Sequence, residues 1–212
     1  MSRFTLLLGG DLVRTPLLDR QVAGSRVIAA DSGIRHAVQL GVTPELWVGD
    51  FDSTPADLPA DLASVPCEKF PAEKDETDGE LAVAAAIGRG ATSLVLAGAF
   101  GGSRADHAFL HMALAMRLAE GGMPTLLTSG AQEGRPLLAG RAGFDYEDGT
   151  LFSILAFSGL AALTVTGAKW PLAGVEVPFG SSLTLSNEVR GQLEIVLGHG
   201  RAMLLAHPFP QA

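Results

Sequence analysis

Short apolar runs alternate with helical patterns over about the first 130 residues of the chain. Three segments carry apolar residues at helical spacing and predict helices, namely Ile34–Leu40, Gly79–Ile87 and His107–Ala119. The runs between them predict strands at Phe4–Leu8, Arg26–Ala30, Leu46–Val48, Leu94–Ala97 and Thr125–Leu127. Such alternation predicts an α/β fold, a three-layer α/β/α domain with a mostly parallel sheet that helices cover on both faces.

The pattern changes from about Pro136, where helical spacing ends and short strand-like runs are separated by turn signals. These runs predict strands at Leu151–Phe157, Ala162–Thr166, Leu183–Leu185, Gln192–Leu197 and Ala202–Ala206. The last two flank Gly198-His199-Gly200, which predicts a hairpin. We therefore expect two domains, an α/β domain over residues 1–132 and an antiparallel β domain over residues 133–212.

Composition narrows the class of protein. The 212 residues are 47% hydrophobic and only 18% charged, which excludes a disordered chain. A net charge of −8 argues against a nucleic-acid partner, because phosphate binding needs an excess of cations. The single cysteine, Cys67, excludes an internal disulfide and a cysteine-built zinc site. With no signal peptide or membrane span in view, we expect a cytoplasmic protein with no membrane partner.

Carboxylates follow the predicted strands. Asp50 and Asp52 come two residues apart directly after one strand, Asp31 directly follows another, and Asp106 follows a strand and a glycine turn. Because ligands of such sheets bind outside the carboxyl ends of the strands, we expect these side chains to gather at one edge. Two further carboxylates, Asp75 and Asp78, stand at the start of a predicted helix.

A cluster of carboxylates is unstable unless a cation or a proton neutralises it. Hard oxygen ligands without nearby cysteine suit Mg²⁺, and Mg²⁺ shared between carboxylates and phosphate oxygens is usual in phosphoryl transfer. Two alternatives stay open at this point. Asp78 and Asp106 also fit helix N-caps, and Asp31 also fits a turn with Ser32-Gly33.

Gly101 and Gly102 lie in a turn between a predicted strand and a predicted helix, where backbone N–H groups face phosphate oxygens. No Gly-Lys-Ser/Thr follows, so the turn is not a Walker A loop. Arg104 adds a guanidinium that binds phosphate through two hydrogen bonds. Lys74 is a second candidate phosphate ligand and equally fits a solvated surface charge.

Six segments, taken in order, resemble the motifs of the thiamine pyrophosphokinase family. They are Asp31-Ser32-Gly33, Gly49-Asp50-Phe51-Asp52-Ser53, Lys74-Asp75-Glu76-Thr77-Asp78, Gly101-Gly102-Ser103-Arg104-Ala105-Asp106-His107, Thr166-Gly167-Ala168-Lys169-Trp170-Pro171-Leu172 and Ser186-Asn187-Glu188. The resemblance runs from about Ala29 to the C-terminus. Two departures are Ser103, inserted before Arg104, and Ser32, which stands where the family often has glycine.

The resemblance implies a β-sandwich-like C-terminal domain, a homodimer with sites between subunits, and a reaction. ATP and thiamine give thiamine diphosphate and AMP, with the thiamine hydroxyl attacking the β-phosphorus and Mg²⁺ as cofactor. It implies Mg²⁺ ligands at Asp50, Asp52 and Asp75. The implied catalytic set is these three with Asp78, and either Asp78 or Asp31 fits as acceptor of the hydroxyl proton.

The remaining implied contacts divide by substrate. The implied nucleotide and phosphate ligands are Asp31, Lys74, Gly101, Gly102, Arg104 and Asp106. Ser186, Asn187 and Trp170 are the implied thiamine ligands, with Trp170 stacking on a thiamine ring. Trp170 equally fits a core position of the β domain. Two other functions remain open: a pyrophosphokinase for another hydroxymethyl heterocycle such as a pterin, and a non-catalytic sensor of thiamine diphosphate or a nucleotide.

Overall fold

The computed structural model describes residues 2–51, 58–71, 73 and 75–208. The chain divides into two compact units. Unit 1 comprises Met1–Leu114 and Met123–Gly130, and unit 2 comprises Ala115–Gly122 and Ala131–Ala212. The boundary predicted between residues 132 and 133 stays a prediction. In the part of the chain described, no helix combines the length and the hydropathy needed to cross a bilayer.

Unit 1 is built on a parallel sheet with the strand order β6-β5-β1-β2-β3-β4. Its strands are β1 (Arg3–Leu7), β2 (Arg26–Ala30), β3 (Leu46–Gly49), β4 (Cys67–Lys69), β5 (Ser93–Ala97) and β6 (Thr125–Thr128). Four successive residues of β1, β2, β3 and β5 are buried, which is the pattern of a parallel sheet covered on both faces. The predicted parallel sheet is confirmed.

The helices of unit 1 begin and end at recognisable signals. They are α1 (Pro16–Val22), α2 (Arg35–Leu40), α3 (Ala60–Ala63), α4 (Asp78–Gly88) and α5 (Ala105–Glu120), the last of which continues into unit 2. The Thr15 side chain caps α1 by accepting a hydrogen bond from the Leu18 N–H at 3.1 Å, and α2 ends at the left-handed Gly41. Helix α4 packs against β1, β2 and β3.

Unit 2 is antiparallel, as predicted. Its strands are β7 (Glu133–Leu137), β8 (Gly140–Phe144), β9 (Leu151–Ala156), β10 (Leu160–Ala168), β11 (Leu172–Val177), β12 (Asn187–Leu197) and β13 (Ala202–His207). The first residues of β12 pair with β9, and its later residues pair with β8 and β10. Strand β12 therefore links the order β7-β13-β9 to the order β8-β12-β10-β11 around one apolar core.

Two predictions for unit 2 are wrong. Leu183–Leu185 forms a turn instead of a strand: Leu183 and Leu185 are exposed, while the buried Thr184 hydroxyl donates to the Ile154 carbonyl at 2.6 Å. The predicted hairpin of the last two strands is also wrong. Strand β13 pairs with β7 and β9 instead of β12, because the Gly198–Gly200 segment carries the chain away through a bridge between Ala161 and His199.

Candidate active site

Three carboxylates from separate parts of unit 1 lie together. One oxygen from each of Asp31, Asp50 and Asp78 lies within 4.8 Å of the others, and all three residues are half-buried. Asp31 directly follows β2 and Asp50 directly follows β3, at the carboxyl edge of the sheet. Asp78 is the first residue of α4, which packs on the same strands. We call this group the carboxylate trio.

The backbone beside the trio is in an unusual conformation. Asp31 has a φ of 41° and Phe51 a φ of 65°, which is the left-handed region that ordinary residues rarely adopt. Trp47 stabilises both: its indole N–H donates to the Asp31 carbonyl at 2.9 Å, and its ring contacts that of Phe51 edge-on at 4.7 Å. Phe51, which separates Asp50 from Asp52 in the sequence, therefore anchors this turn to the core.

Thr77, the residue before Asp78, caps the N-terminus of α4. The Thr77 hydroxyl accepts from the Glu80 N–H at 3.3 Å, and the Glu80 carboxylate accepts from the Thr77 N–H at 3.1 Å. This reciprocal capping box begins α4 without the Asp78 side chain. The alternative interpretation of Asp78 as the N-cap is therefore wrong, and its carboxylate belongs to the trio.

The trio has the chemistry of a divalent-cation site. Three carboxylates this close repel one another unless positive charge stands between them. An oxygen-only donor set favours a hard cation such as Mg²⁺ over the softer ions that histidine and cysteine select. The residues present therefore fit a divalent cation.

A cavity of about 420 Å³ opens beside the trio within unit 1. Asp31 and Asp78 lie on its wall, together with two cationic side chains, Arg35 and Arg104. The rest of the wall is glycine-rich and includes Gly9, Gly10, Gly79, Gly101 and Gly102. A cavity that combines carboxylates, guanidinium groups and exposed backbone suits a metal-bound polyphosphate.

The glycine turn after β5 is held by a carboxylate that the sequence analysis did not single out. Gly101 and Gly102 have φ values of 68° and 78°, and the Gly102 N–H donates to the Asp11 carboxylate at 2.9 Å. Asp11 also donates its own N–H to the Phe100 carbonyl at 2.7 Å. Asp31 directly follows β2, whereas Asp11 comes four residues after the end of β1, so strand-end reasoning finds Asp11 only when it is extended through Gly9-Gly10.

Arg104 lies on the cavity wall but is engaged within the chain. Its guanidinium contacts the Asp106 carboxylate at 2.7 Å, and both side chains are more than 60% exposed. The ion pair holds the pKa of Asp106 down to about 2. Asp106, like Arg104, was a predicted phosphate-side residue, and its carboxylate neutralises the arginine in this structure.

Arg104→Gln is expected to raise the pKa of Asp106 from about 2 toward its ordinary value of 3.8. Because the ion pair lowers this pKa in the folded protein, its contribution to folding stability, small because both side chains are exposed, is present above about pH 4 and is lost as the pH falls through 2. NMR titration of the carboxyl carbon measures the shift. Arg20→Gln, a change at an exposed arginine in α1, leaves the pKa unchanged, whereas an Asp106 that titrates near 3.8 in the parent contradicts the pairing.

Two histidines that the sequence analysis did not assign stand behind the site. The His36 ring contacts the Gly10 carbonyl at 3.0 Å, and Nδ1 of His111 contacts the Ala99 carbonyl at 3.0 Å. Burial lowers the pKa of both rings, so both are uncharged at neutral pH. They fix backbone around the glycine-rich wall and add no charge to it. Nothing in their sequence context separates them from other histidines.

Three other residues predicted on the phosphate side are Asp75, Asp52 and Lys74. Asp75 is exposed and lies outside the trio, so its assignment as a metal ligand stays a prediction. Asp52 and Lys74 lie outside the described residues.

The residues predicted to bind thiamine lie close together in unit 2. Asn187 is buried at the start of β12, and Ser186 before it is exposed with a φ of 58°. Trp170 lies in the β10–β11 connection with 55% of its surface exposed, so its alternative interpretation as a core residue is wrong. The Lys169 ammonium lies 4.8 Å from the centre of the Trp170 ring.

Comparison with known proteins identifies the family of this chain. Residues 22–127 match the model of the thiamin pyrophosphokinase catalytic domain, and residues 144–200 match the model of the thiamin pyrophosphokinase vitamin B1 binding domain. The chain is 28% identical over 166 residues to a thiamine pyrophosphokinase of Bacillus subtilis, an alignment that covers 76% of this chain and 77% of that protein.

Solved structures show the same fold. A thiamine pyrophosphokinase crystal structure from Bacillus subtilis has a TM-score of 0.83 at 22% identity, covering 97% of this chain and 99% of that one. The corresponding structure from Geobacillus thermodenitrificans has a TM-score of 0.77 at 26% identity, with 98% and 97% covered. With both family models matched in order along the sequence, this chain belongs to the thiamin pyrophosphokinase family of transferases.

Proposed function

We propose that this protein transfers the pyrophosphoryl group of ATP to the hydroxyl of thiamine, giving thiamine diphosphate and AMP. The observation that carries the proposal is the carboxylate trio beside a glycine-rich cavity that also holds two arginines. Both matched family models support it. No observation favours a pterin substrate or a non-catalytic sensor.

We infer that Asp31, Asp50 and Asp78 hold Mg²⁺ on the triphosphate. When bound, Mg²⁺ neutralises the charge that the phosphate oxygens carry and develop during transfer. Asp52 and Asp75 remain in the proposed metal set through the family resemblance alone.

The chain's own groups orient the polyphosphate. The guanidinium of Arg35 donates to the carbonyls of Gly9 and Gly10 at 2.6 and 3.0 Å, which fixes a positive charge on the cavity wall. The exposed guanidinium of Arg104 is suited to exchange Asp106 for a phosphate oxygen, because an exposed ion pair is weak. Pyrophosphoryl transfer needs in-line positioning and charge neutralisation more than covalent catalysis, and these groups supply both.

The thiamine side of the reaction belongs to unit 2. The exposed Trp170 ring offers a π face to the cationic thiazolium, and the exposed Ser186 offers a hydroxyl.

We also propose the homodimer that the resemblance implies. Sedimentation velocity measures it, with a dimer expected and a monomer at micromolar concentration contradicting it.

The proposed reaction is tested by the release of AMP from ATP and Mg²⁺. AMP release is expected with thiamine. It is not expected with 6-hydroxymethyl-dihydropterin or when no acceptor is added. Mass spectrometry then identifies thiamine diphosphate in the thiamine reaction. Release with the pterin alone favours the alternative transferase, and binding of thiamine diphosphate without turnover favours the sensor.

A further inference from the structure

The side chain of Asn187 is occupied by contacts within the protein. This residue is the only asparagine in the sequence, and it is 7% exposed. Its Nδ2 donates to the Trp170 carbonyl at 2.9 Å, and its Oδ1 accepts from the Trp170 N–H at 3.2 Å. The same Oδ1 accepts from the Glu188 N–H at 2.8 Å. One amide group thus pairs with both backbone polar groups of Trp170.

These contacts fix the backbone from which the Trp170 side chain projects. Trp170 lies in the short connection between β10 and β11, and half of its surface is exposed, so packing alone does not fix it. Asn187 belongs to β12, which pairs with β10, and its side chain bonds to the backbone of Trp170 in the connection. Glu188 adds a second tie, since its carbonyl accepts from the Lys169 N–H at 2.8 Å.

An ion pair of Glu188 also ties β12 to the β10–β11 connection. Glu188 contacts the Lys169 ammonium at 3.3 Å and the Arg190 guanidinium at 2.6 Å. Lys169 in turn lies 4.8 Å from the centre of the Trp170 ring. Asn187 and Glu188 therefore hold Trp170 and Lys169, and the Lys169 ammonium lies over the ring.

We propose that Asn187 is a positioning residue that acts on thiamine through Trp170, by pairing with its backbone, and not a direct ligand of thiamine. This inference rests on the proposed function, because it takes the Trp170 ring as part of the thiamine site. It changes the role expected from the sequence, where Asn187 was placed beside Ser186 as a direct thiamine ligand. The Oδ1 of Asn187 already accepts two hydrogen bonds, one Nδ2 proton is donated to Trp170, and the side chain is buried, so the amide is poorly placed to bind thiamine directly.

A double-mutant cycle on the full-length protein tests the proposal. Trp170→Ala is expected to raise the KM for thiamine about 10-fold through loss of the cation–π contact. Asn187→Asp is expected to raise it about 5- to 10-fold, because a carboxylate oxygen then faces the Trp170 carbonyl. The double variant is expected to match Trp170→Ala alone, since a residue that acts through the ring has no effect once the ring is gone.

Matched variants separate positioning from a general structural effect. Gln192 lies on the same strand, and its side-chain amide donates to the Phe144 carbonyl at 3.0 Å, so Gln192→Glu makes the same chemical change away from Trp170. We expect it to leave the KM for thiamine unchanged. Asn187→Ala introduces no charge and is expected to raise the KM for thiamine as Asn187→Asp does. In each Asn187 variant the KM for ATP stays near that of the parent.

A measurement that needs no substrate distinguishes failure of this inference from failure of the proposed function. The protein has two tryptophans, and the indole of buried Trp47 serves as the reference in an NMR spectrum. In Asn187→Asp, the Trp170 indole signal is expected to shift and sharpen while that of Trp47 stays in place. An unchanged Trp170 signal, or additive losses in the cycle, overturns the inference. Turnover that does not depend on thiamine counts against the proposed function alone.

Discussion

Asp50→Asn is expected to lower kcat by roughly 100- to 1,000-fold, the loss typical when a group that stabilises developing charge is removed. Asp31→Asn and Asp78→Asn are expected to fall in the same range, because the three carboxylates place oxygens within 4.8 Å of one another and are proposed to hold the same cation. Folding stability stays unchanged or rises, since each change relieves repulsion between like charges. Steady-state AMP release at saturating thiamine measures kcat, and the thermal midpoint measures stability.

The matched control is Asp61→Asn, which removes an exposed carboxylate from α3 in the same unit. It is expected to retain the parent kcat. Mg²⁺ titration adds a readout that separates metal binding from fold damage: the trio variants need more Mg²⁺ for half-maximal activity, and Asp61→Asn does not. Full activity in any two trio variants contradicts the metal assignment.

Asp75→Asn tests whether Asp75 is a metal ligand. The resemblance places Asp75 among the metal ligands, while the structure places it exposed and outside the trio. A kcat near that of the parent supports a site built from Asp31, Asp50 and Asp78. A loss equal to that of Asp50→Asn supports the larger ligand set, with Asp75 binding through a rearranged turn.

The position of the candidate site could be predicted because it depends on regular structure. Strands of a parallel sheet end at a common edge, so the sequence alone predicts that Asp31 and Asp50 lie close together. The role of Asp78 is harder to predict, since a carboxylate at a helix start fits both a helix cap and a metal ligand. Only the Thr77–Glu80 capping box decides between them.

The two wrong predictions for unit 2 concern segments where tertiary contacts outweigh the local sequence pattern. Leu183–Leu185 has the composition of a strand, yet a single buried hydroxyl, that of Thr184, fixes it as a turn against β9. The pairing of β13 with β7 and β9 joins segments far apart in the sequence, which adjacency along the chain does not indicate. Asn187 is a predicted site residue, but its hydrogen-bond partner Trp170 is 17 positions away, so the local sequence pattern does not reveal their pairing.

Gly33→Ala is expected to destabilise unit 1 by about 3 kcal/mol, as overpacking against fixed backbone does. Gly33 lies in the short 3₁₀ turn Asp31–Ile34, packed directly on β1. A Cβ there overlaps the Leu7 carbonyl oxygen and lies 2.6 Å from the carbonyl carbon. Because β1 is paired with a strand on each side, the turn must move away from β1 and carry Asp31 with it. Calorimetry is expected to show a thermal midpoint lower by about 6–12 °C.

Gly88→Ala provides the matched substitution. Gly88 is the last residue of α4, its φ is not positive, and a Cβ there meets no atom within 4 Å. Alanine favours the helix by up to about 1 kcal/mol over glycine, so this variant is expected to be as stable as the parent or more so, with unchanged kcat. Gly33→Ala is expected to lose activity even at 10 °C, where it is folded, because Asp31 no longer stands within the trio. A folded Gly33→Ala protein with the parent kcat shows that the position of Asp31 does not govern turnover.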